Sequence, residues 1–305
     1  MIKDIGKAAA RSPGKPVTLL AETKSLLRRT GLHARKRLGQ HFLVDEEVLR
    51  LIVAAAELGP GDIVLEVGPG LGILTLELAK RAGLVVAVEL DDRLAALLGE
   101  TLGSFPNVRI VNRDILKVEP GALLGEVVPD AAGGSCRYRV VANLPYYITS
   151  KALRHFLEAE SKPESMVVMV QKEVAQAIIA RPGDLSLLAL SIQFYAEPKL
   201  VSYVPASAFY PPPEVDSALL RLDIRSGPKV AVGDPDRFFG FVRAGFSAAR
   251  KQLVNSFSGA LGKPRDEVLA MLEQAGIAPE RRAEMLSLEE WANLWRVYRQ
   301  SDENA

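Results

Sequence analysis

Short apolar runs that alternate with amphipathic stretches dominate the pattern of residues 42–224. Seven runs rich in Val, Ile and Leu predict strands, at residues 63–67, 84–88, 108–111, 138–142, 166–170, 199–204 and 217–224. Several stretches between them carry apolar residues at helical spacing, as in residues 92–102 and 150–159. Asp45 can cap a helix that precedes the first run, and Gly121 to Arg137 is expected to be a loop because it is rich in Gly, Ala and Pro. The pattern therefore predicts an α/β domain with a seven-stranded sheet.

Beyond residue 227 the pattern becomes wholly helical and predicts a small all-α domain. Asp234 marks the start of a helix in which apolar residues recur every three or four positions as far as Phe257. Ser287 and Glu290 predict a capping box for a last helix over residues 288–299. We expect three parts: a mostly extended basic arm (1–37), the α/β domain (38–226) and the helical domain (227–305).

The first of the seven strands ends in a glycine-rich turn. Gly68, Gly70 and Gly72 precede an amphipathic stretch, which predicts strand, tight turn and helix. The next strand leads into Glu89, twenty-one residues after Gly68. Such a turn lets a ligand approach the backbone at the helix start, and an acid at the next strand tip can accept from both ribose hydroxyls. The pattern indicates a nucleoside-bearing cofactor.

The spacing of these glycines favours one cofactor over another. A dinucleotide-binding turn has a third glycine where Ile73 stands. Instead, Glu66 precedes the turn in the pattern Glu-x-Gly-x-Gly, which resembles the first motif of S-adenosylmethionine-dependent methyltransferases. A carboxylate at this position suits a ligand that carries an ammonium and a sulfonium. An ordinary strand-to-helix turn, with glycines needed only for packing, is the alternative for this stretch alone.

Polar groups also follow the third and fourth predicted strands. Asp114 comes just after residues 108–111, and the tetrapeptide Asn-Leu-Pro-Tyr at residues 143–146 comes directly after residues 138–142. Because the carboxyl ends of parallel strands meet at one edge of a sheet, we expect these groups to lie at the same crevice as the glycine turn.

The tetrapeptide Asn143, Leu144, Pro145 and Tyr146 carries groups suited to methyl transfer onto an adenine amine. That amine is a poor nucleophile because its lone pair is delocalised into the ring. Two acceptors, the side-chain oxygen of Asn143 and a backbone carbonyl beside Pro145, would hold it in line with the methyl group. Tyr146 can stack on a base taken out of its helix. As a bare tetrapeptide, the sequence is equally compatible with a strand-ending turn.

A stiff segment lies between the last two predicted strands. It reads SAFYPPPEVD over residues 207–216 and contains three consecutive prolines. Proline restricts the backbone, so we expect a rigid rim that presents Phe209.

Charge is distributed unevenly although the net charge is only +1. Residues 24–37 hold six Lys or Arg and no acid, which is a footprint suited to phosphate contacts, with Arg35, Lys36 and Arg37 as candidates. A solvated arm is the alternative. Arg243 and Arg250, seven apart in the first helix of the helical domain, are expected to share an exposed face and are either solvated or phosphate-facing.

Composition excludes several classes of site. The single cysteine, Cys136, excludes an intramolecular disulfide, and only three scattered histidines argue against a structural zinc site. No apolar run reaches the roughly 18 residues of a membrane span. The first residues lack the apolar core of a secretory signal. We expect a reduced, cytoplasmic protein without a metal.

The chain resembles the ribosomal RNA small-subunit adenine dimethyltransferases, the kasugamycin-sensitivity family, in segments that occur in the same order. These are KRLGQHFLVD, VLEVGPGLGILT, VAVELD, the Asp114 position, VVANLPYYITS, MVVMVQKEVAQ and SAFYPPPEVDSALLRL. The match covers about residues 35–222 and continues more weakly through FSAARKQLVNS. The resemblance implies a class I, Rossmann-like methyltransferase that dimethylates two neighbouring adenosines near the 3′ end of small-subunit rRNA during ribosome assembly.

The resemblance also implies roles for individual residues. The residues implied to contact S-adenosylmethionine are His41, Leu43, Glu66, Gly68, Gly70, Glu89, Asp114 and Asn143. Glu89 would hold the ribose and Asp114 the adenine amine of the cofactor. Tyr146 and Phe209 would enclose the target base. His41 stands where many relatives have Asn, so its contact is left open.

The partner implied by the resemblance is small-subunit rRNA or a pre-30S particle, and we expect a monomer. Two other hypotheses stay open. One is a non-catalytic RNA-binding or ribosome-assembly factor of the same fold. The other is a large-subunit rRNA methylase of the antibiotic-resistance type, whose members usually have Ile and Phe where Leu144 and Tyr146 stand here.

Overall fold

The computed structural model describes residues 18–35, 38–128, 136–248 and 250–302. The chain divides into two compact units. The first contains the residues up to Lys172 together with 199–223, and the second contains 173–198 and the residues from Ile224 onward. The α/β domain expected to be continuous over 38–226 is therefore interrupted. Residues 173–198 belong to the second unit because Leu190 and Phe194 are fully buried in its hydrophobic core.

The predicted seven-stranded sheet is present. The strands are β1 (Phe42–Leu43), β2 (Ile63–Val67), β3 (Leu84–Glu89), β4 (Val108–Asn112), β5 (Arg139–Asn143), β6 (Ser165–Gln171), β7 (Ala196–Val204), β8 (Phe209–Tyr210) and β9 (Ser217–Ile224). The large sheet has the order β4-β3-β2-β5-β6-β9-β7. The first five strands in this order are parallel to one another, and β9 is antiparallel to β6. β1 and β8 form a separate antiparallel pair.

The parallel register brings four strand ends to one edge of the sheet. Val67 pairs with Val88, and Glu89 pairs with Asn112. β2 and β3 are almost continuously buried, which accounts for their uninterrupted apolar sequence. Polar residues that follow β2, β3, β4 and β5 are therefore neighbours in space, as expected.

Among the described residues of the first unit, six α-helices accompany the sheet. They are α1 (Leu19–Thr30), α2 (Glu46–Ala56), α3 (Ile73–Ala79), α4 (Asp92–Leu102), α5 (Pro120–Val127) and α6 (Thr149–Glu158). The expected Asp45 cap of α2 is confirmed, since its carboxylate accepts from the N–H groups of Glu47 and Val48 at 2.8 and 3.0 Å. The loop expected from Gly121 to Arg137 is wrong over α5, where Leu123 and Leu124 are fully buried.

Helix α1 corrects the prediction of an extended N-terminal arm. Thr18 caps its first turn by accepting from the Ala21 N–H at 3.3 Å, and Gly31 ends it in the left-handed conformation at φ +67°. Leu27 of α1 is buried in a cluster with Phe42 and Leu71. This part of the basic segment is thus a docked helix.

The second unit is helical around an aromatic core. Its helices are α7 (Lys172–Ile178, whose first residue belongs to the first unit), α8 (Leu187–Tyr195), α9 (Pro235–Gly245), α10 (Leu253–Leu261), α11 (Arg265–Gln274) and α12 (Leu288–Asp302). Phe238, Phe257 and Trp291 are fully buried there. No helix among the described ranges is both long enough and apolar enough to cross a membrane.

The prediction of a single helix from Asp234 to Phe257 is wrong, because the helix ends at Gly245. A 3₁₀ turn over Phe246–Ala248 follows α9, and α10 begins at Leu253. A Cβ at Gly245 would lie only 2.4 Å from the Trp291 ring, so the backbone packs directly on that ring. Arg243 is in α9 and Arg250 lies beyond the 3₁₀ turn; both are exposed, but they do not share one helical face.

The predicted capping box of α12 supports a stability test. The Ser287 hydroxyl accepts from the Glu290 N–H at 3.2 Å, and the Glu290 carboxylate accepts from the Ser287 N–H at 2.8 Å. Ser287→Ala should lower the free energy of unfolding by about 1 kcal/mol in denaturant titrations. Ser301→Ala, on the exposed last turn of the same helix, is the matched control and should change it by less than about 0.5 kcal/mol. Equal effects of the two substitutions would contradict the capping role.

Candidate active site

A cavity of about 320 Å³ opens where the carboxyl ends of β2 to β5 meet. This is the lower end of the range for sites that enclose a small molecule. Most of the predicted site residues line it: His41, Leu43, Glu66, Gly68, Gly70, Glu89, Asp114, Asn143, Leu144, Pro145 and Tyr146. The fold thus brings together residues that are up to about a hundred positions apart in sequence. Their individual roles remain predictions.

The glycine turn after β2 forms one wall of the cavity. Gly68 and Gly70 have φ values of +69° and +58°, which other residues rarely adopt. A Cβ on Gly70 would lie 3.2 Å from the Phe42 ring. The turn is held in place by the Gly68 N–H, which donates to the Val88 carbonyl at 3.0 Å. A side chain at Gly70 would therefore both strain the backbone and push on Phe42.

Two buried carboxyl groups, Glu66 and Glu89, lie at the strand ends beside this turn. Glu89 accepts from the N–H groups of Asp91 at 2.8 Å and Gly70 at 3.2 Å. Glu66 is only 1% exposed, and no group among the described residues donates a hydrogen bond to its Oε2 atom. A buried polar atom without a partner is costly unless a ligand supplies one.

Burial controls the protonation of both groups. It raises the pKa of Glu66 to about 8; the nearby Thr75 hydroxyl lowers that pKa in part, and the charge on Glu89 raises it. Burial also raises the pKa of Glu89, while the N–H groups of Asp91 and Gly70 oppose the rise. Without a bound cation, Glu66 therefore keeps its proton at neutral pH.

The Asn-Leu-Pro-Tyr corner lies directly against the glycine turn. A Cβ on Gly68 would be 3.8 Å from the Asn143 carbonyl oxygen and 4.0 Å from Pro145 Cδ. The Asn143 side chain donates from Nδ2 to the His41 carbonyl at 3.1 Å, which leaves its Oδ1 atom as the acceptor. This places an amide acceptor and the glycine turn on one cavity.

The Tyr146 ring is held in a defined orientation. Its hydroxyl shares a 2.7 Å hydrogen bond with the fully buried Ser217 hydroxyl. The His41 ring lies nearly parallel to it, with 6.0 Å between the ring centroids and 23° between the planes. His41 Nδ1 is in turn 2.7 Å from the Pro211 carbonyl. His41 thus contacts Tyr146 and Pro211, and its contact with the cofactor stays a prediction.

The position of Phe209 differs from the prediction that its ring is presented on a rigid rim. Its side chain is only 3% exposed and packs in the hydrophobic core with Val204 and Leu219. The reason is the β1–β8 pairing, which sets Phe209 opposite Leu43 and turns its ring inward. The expectation that a rigid rim presents this ring is wrong, and Phe209 does not line the cavity.

The basic residues proposed to bind RNA lie in different settings. Arg35 is paired with Asp91 at 3.4 Å. Lys36 and Arg37 lie outside the described residues. Arg243 and Arg250 are exposed on the second unit. Arg35 differs from the other RNA-binding candidates, because its guanidinium is already paired with a carboxylate of the protein.

Sequence reasoning missed several residues that line the cavity, among them Gln40, Tyr147 and Lys151. Tyr147 is 55% exposed, and its ring would lie 3.5 Å from a Cβ on Gly39. Partial burial and the charges of Asp114 and Glu89 raise its pKa. Its position directly after Tyr146, in a sequence stretch already singled out, was the available signal.

Comparisons with known proteins agree with this geometry. A family model described as "Ribosomal RNA adenine dimethylase" matches residues 31–300. A protein from Dehalococcoides mccartyi (strain ATCC BAA-2266 / KCTC 15142 / 195), named ribosomal RNA small subunit methyltransferase A, is 52% identical over 98% of this chain and 98% of its own length.

Solved structures show the same fold. The structure titled 23S rRNA methyltransferase ErmE has a TM-score of 0.64 and 33% identity, covering 84% of this chain and 98% of that one. A dimethyladenosine transferase from Plasmodium falciparum has a TM-score of 0.72 at 24% identity, covering 86% and 98%. The predicted class I methyltransferase fold is thereby confirmed. With a family match that spans most of its length, this chain belongs to the ribosomal RNA adenine dimethylase family.

Proposed function

We propose that this chain transfers methyl groups from S-adenosylmethionine to the exocyclic amines of two adjacent adenosines near the 3′ end of small-subunit rRNA, each twice. The observation that carries the proposal is the contact between the Asn-Leu-Pro-Tyr corner and the glycine turn on a single cavity. A donor site and an acceptor for the target amine are thereby adjacent. The relative that is 52% identical is named as a small-subunit methyltransferase, which favours this substrate.

The cavity fits S-adenosylmethionine, which supplies an electrophilic methyl group on a sulfonium. The unpartnered Oε2 of Glu66 suits an ammonium group. Glu89, already oriented by two N–H groups, is placed to accept from ribose hydroxyls, and Asp114 lies at the tip of β4 for the adenine amine. The bare backbone of Gly68 leaves room for the methionine part.

Asn143 and Tyr146 act on the target base in this proposal. Asn143 Oδ1 and a backbone carbonyl beside Pro145 accept from the adenine amine and direct its lone pair toward the methyl group. Tyr146 stacks on the extruded base, with its ring fixed by the bond to Ser217. The methylated nitrogen loses its proton to water, so no strong base is required. Phe209 is left out of this step because its ring is buried.

The exposed cations at the end of α1 should contribute to RNA binding. Arg28 and Arg29 are exposed, and α1 packs on Phe42 and Leu71 of the cavity wall. Replacing both by Ala should reduce the slope of log affinity against log salt by roughly 1.5, as expected for two lost phosphate contacts. The measurement is filter binding or fluorescence anisotropy of an rRNA fragment over a salt series.

The matched control for this pair is Lys80→Ala with Arg81→Ala, which removes the same charge just after the C-terminal end of α3, where both cations pair with Glu77. The control should leave the slope unchanged. Equal slopes for the wild type and the Arg28/Arg29 variant would show that these two residues do not contact RNA phosphates. The proposed contacts of Arg35, Lys36, Arg37, Arg243 and Arg250 are tested in the same way.

The large-subunit alternative has one observation in its favour. The ErmE structure, titled a 23S rRNA methyltransferase, is 33% identical over 84% of this chain. Higher identity over nearly the full length to the small-subunit relative, and Leu144 and Tyr146 in the corner, favour the small subunit. A non-catalytic assembly factor is disfavoured because such a protein has no need for an assembled donor site.

The decisive experiment presents the purified protein with 30S and 50S particles from cells that lack the modification. Radiolabelled S-adenosylmethionine and primer extension across the 3′ end of small-subunit rRNA would report the product. We expect label in the 30S fraction and stops at two adjacent adenosines. Label in the 50S fraction, or none in either, would overturn the proposal.

The proposal extends to the setting of the reaction. We place the protein in the cytoplasm, acting as a monomer on a pre-30S particle. Comparing methylation of naked rRNA with that of assembly intermediates tests the substrate, and light scattering coupled to gel filtration tests the oligomeric state. Faster methylation of naked rRNA, or a dimer mass, would contradict those parts.

A further inference from the structure

Asp91, which takes no part in the proposed chemistry, is the most heavily bonded carboxylate beside the cavity. Its side chain is completely buried, with an exposure of 0%. Oδ2 accepts from Gln40 Nε2 at 3.1 Å, and Oδ1 lies 3.1 Å from the Arg93 N–H and 3.4 Å from Arg35 Nη1. Burial would raise the pKa of Asp91, but the bonds from Gln40 and Arg93 and the charge of Arg35 hold it below its ordinary value.

Two of these partners, Arg35 and Gln40, precede β1 in the chain, and Gln40 lines the cavity. Gln40 also accepts, at its Oε1, from the Arg35 N–H at 2.8 Å, and the Leu38 N–H donates to the Arg35 carbonyl at 2.9 Å. Asp91, Gln40 and Arg35 therefore form one network. It ties residues 38–43 to the sheet just beyond the end of β3.

Residues 38–43 carry contacts that the cofactor site depends on. The His41 carbonyl accepts from the Asn143 side chain, and Phe42 lies against Gly70. The backbone N–H of Asp91 meanwhile donates to Glu89 at 2.8 Å. Asp91 thus joins Glu89, the acid expected to hold the ribose, to residues 38–43, which line the same cavity.

We propose that Asp91 is a positioning residue that fastens residues 38–43 over the cofactor cavity and thereby sets the rate at which the cofactor dissociates. The inference rests on the cofactor assignment of the proposed function and on no assumption about the RNA substrate. A role in capping α4 is the competing explanation, since Asp91 also accepts from the first turn of that helix.

Asp91→Asn separates the two roles, because Asn caps helices about as well as Asp but cannot pair with Arg35 or keep both acceptors. Its main-chain bond to Glu89 is unaffected. We expect S-adenosylhomocysteine, which lacks the sulfonium charge, to bind about tenfold more weakly to this variant, with most of the change in the dissociation rate measured by stopped flow. Hydrogen exchange of residues 38–43 should become faster in the bound protein.

Gln40→Ala removes the other partner of the Gln40–Asp91 hydrogen bond and should weaken S-adenosylhomocysteine binding to a similar extent. In the Asp91→Asn/Gln40→Ala double variant, the two effects should not multiply, because they remove one connection. Arg35→Lys, which keeps the charge, should retain near-wild-type dissociation. Arg93→Ala is the matched control: it removes a guanidinium from the same carboxylate without touching residues 38–43, and should leave the dissociation rate unchanged.

Melting temperatures of all variants show whether folding is retained. Unchanged dissociation in Asp91→Asn, independent effects of Asp91 and Gln40, or an equal effect of Arg93→Ala would each overturn the proposal. Because binding is measured without RNA, failure here is distinct from failure of the methylation assay. Tight binding of S-adenosylhomocysteine with no rRNA methylation would overturn the proposed substrate and leave Asp91 in its role.

Discussion

Asn143→Ala should lower the rate of methyl transfer by on the order of a hundredfold or more. The substitution removes the Oδ1 acceptor that directs the lone pair of the target amine, and one lost transition-state contact of this kind typically costs that much. The loss should appear in kcat and in kcat/KM alike, because the contact forms fully only as the amine becomes pyramidal. Single-turnover methylation of 30S particles measures it.

Cofactor affinity supplies the control for this substitution. Asn143→Ala also removes the hydrogen bond to the His41 carbonyl, so S-adenosylmethionine binding should weaken, but by only a fewfold. Tyr146→Phe is the comparison variant at the same corner: it keeps the stacking ring and removes the hydroxyl that bonds to Ser217. It should retain most activity. Near-normal turnover in Asn143→Ala would remove this residue from the mechanism.

Glu66→Gln should abolish a strong pH dependence of cofactor binding. In the free protein the pKa of Glu66 is about 8, so its proton must leave before the carboxylate can pair with an ammonium. Wild-type affinity should therefore rise by roughly fiftyfold from pH 6 to pH 8 relative to the Gln variant, since the ionised fraction of Glu66 rises from about one hundredth to about one half. Calorimetry in buffers of different ionisation enthalpy should detect release of close to one proton at pH 7.

Glu66→Gln should also abolish a pH dependence of stability, which has the opposite sign: stability of the wild type falls as pH rises, whereas its cofactor affinity rises. Because the folded-state pKa lies above the unfolded value of about 4.5, the contribution of Glu66 is complete below pH 4.5 and is lost as pH rises through 8. Without cofactor, the wild type should lose on the order of 3 kcal/mol relative to Glu66→Gln between pH 5 and pH 8. Parallel stability curves for the two proteins over this range would show that Glu66 is not buried as described.

Much of the fold could be predicted because its strands are short, continuous apolar runs that alternate with amphipathic stretches. The seven strands and the caps at Asp45 and Ser287 are all local signals. The failures were of two kinds. Helix α5 contains Gly121 and Gly125 and is only eight residues long, so its local signal is weak. The helix end at Gly245 lies where the backbone packs on Trp291, a residue far along the chain.

The positions of the candidate site residues could be predicted where residues follow strand ends but not where tertiary pairing decides. Glu89 and Asn143 were found because parallel strands deliver their carboxyl ends to one edge. Phe209 was misplaced because a two-residue strand has no periodicity, and its pairing with Leu43 is invisible locally. Asp91 was overlooked because a helix cap two residues after a strand has an ordinary explanation, and its bonds to Arg35 and Gln40 cross about fifty positions.

The pairing of β1 with β8 has a consequence for synthesis of the protein. Phe42 and Leu43 find their partners only at Tyr210 and Phe209, and β9, which lies between β6 and β7, is made after both. A nascent chain can therefore form the glycine turn early but lacks one wall of its pocket until residues 209–224 have left the exit tunnel. The ribosome must translate more than two thirds of this enzyme before the new chain can retain the cofactor that it uses to modify ribosomes.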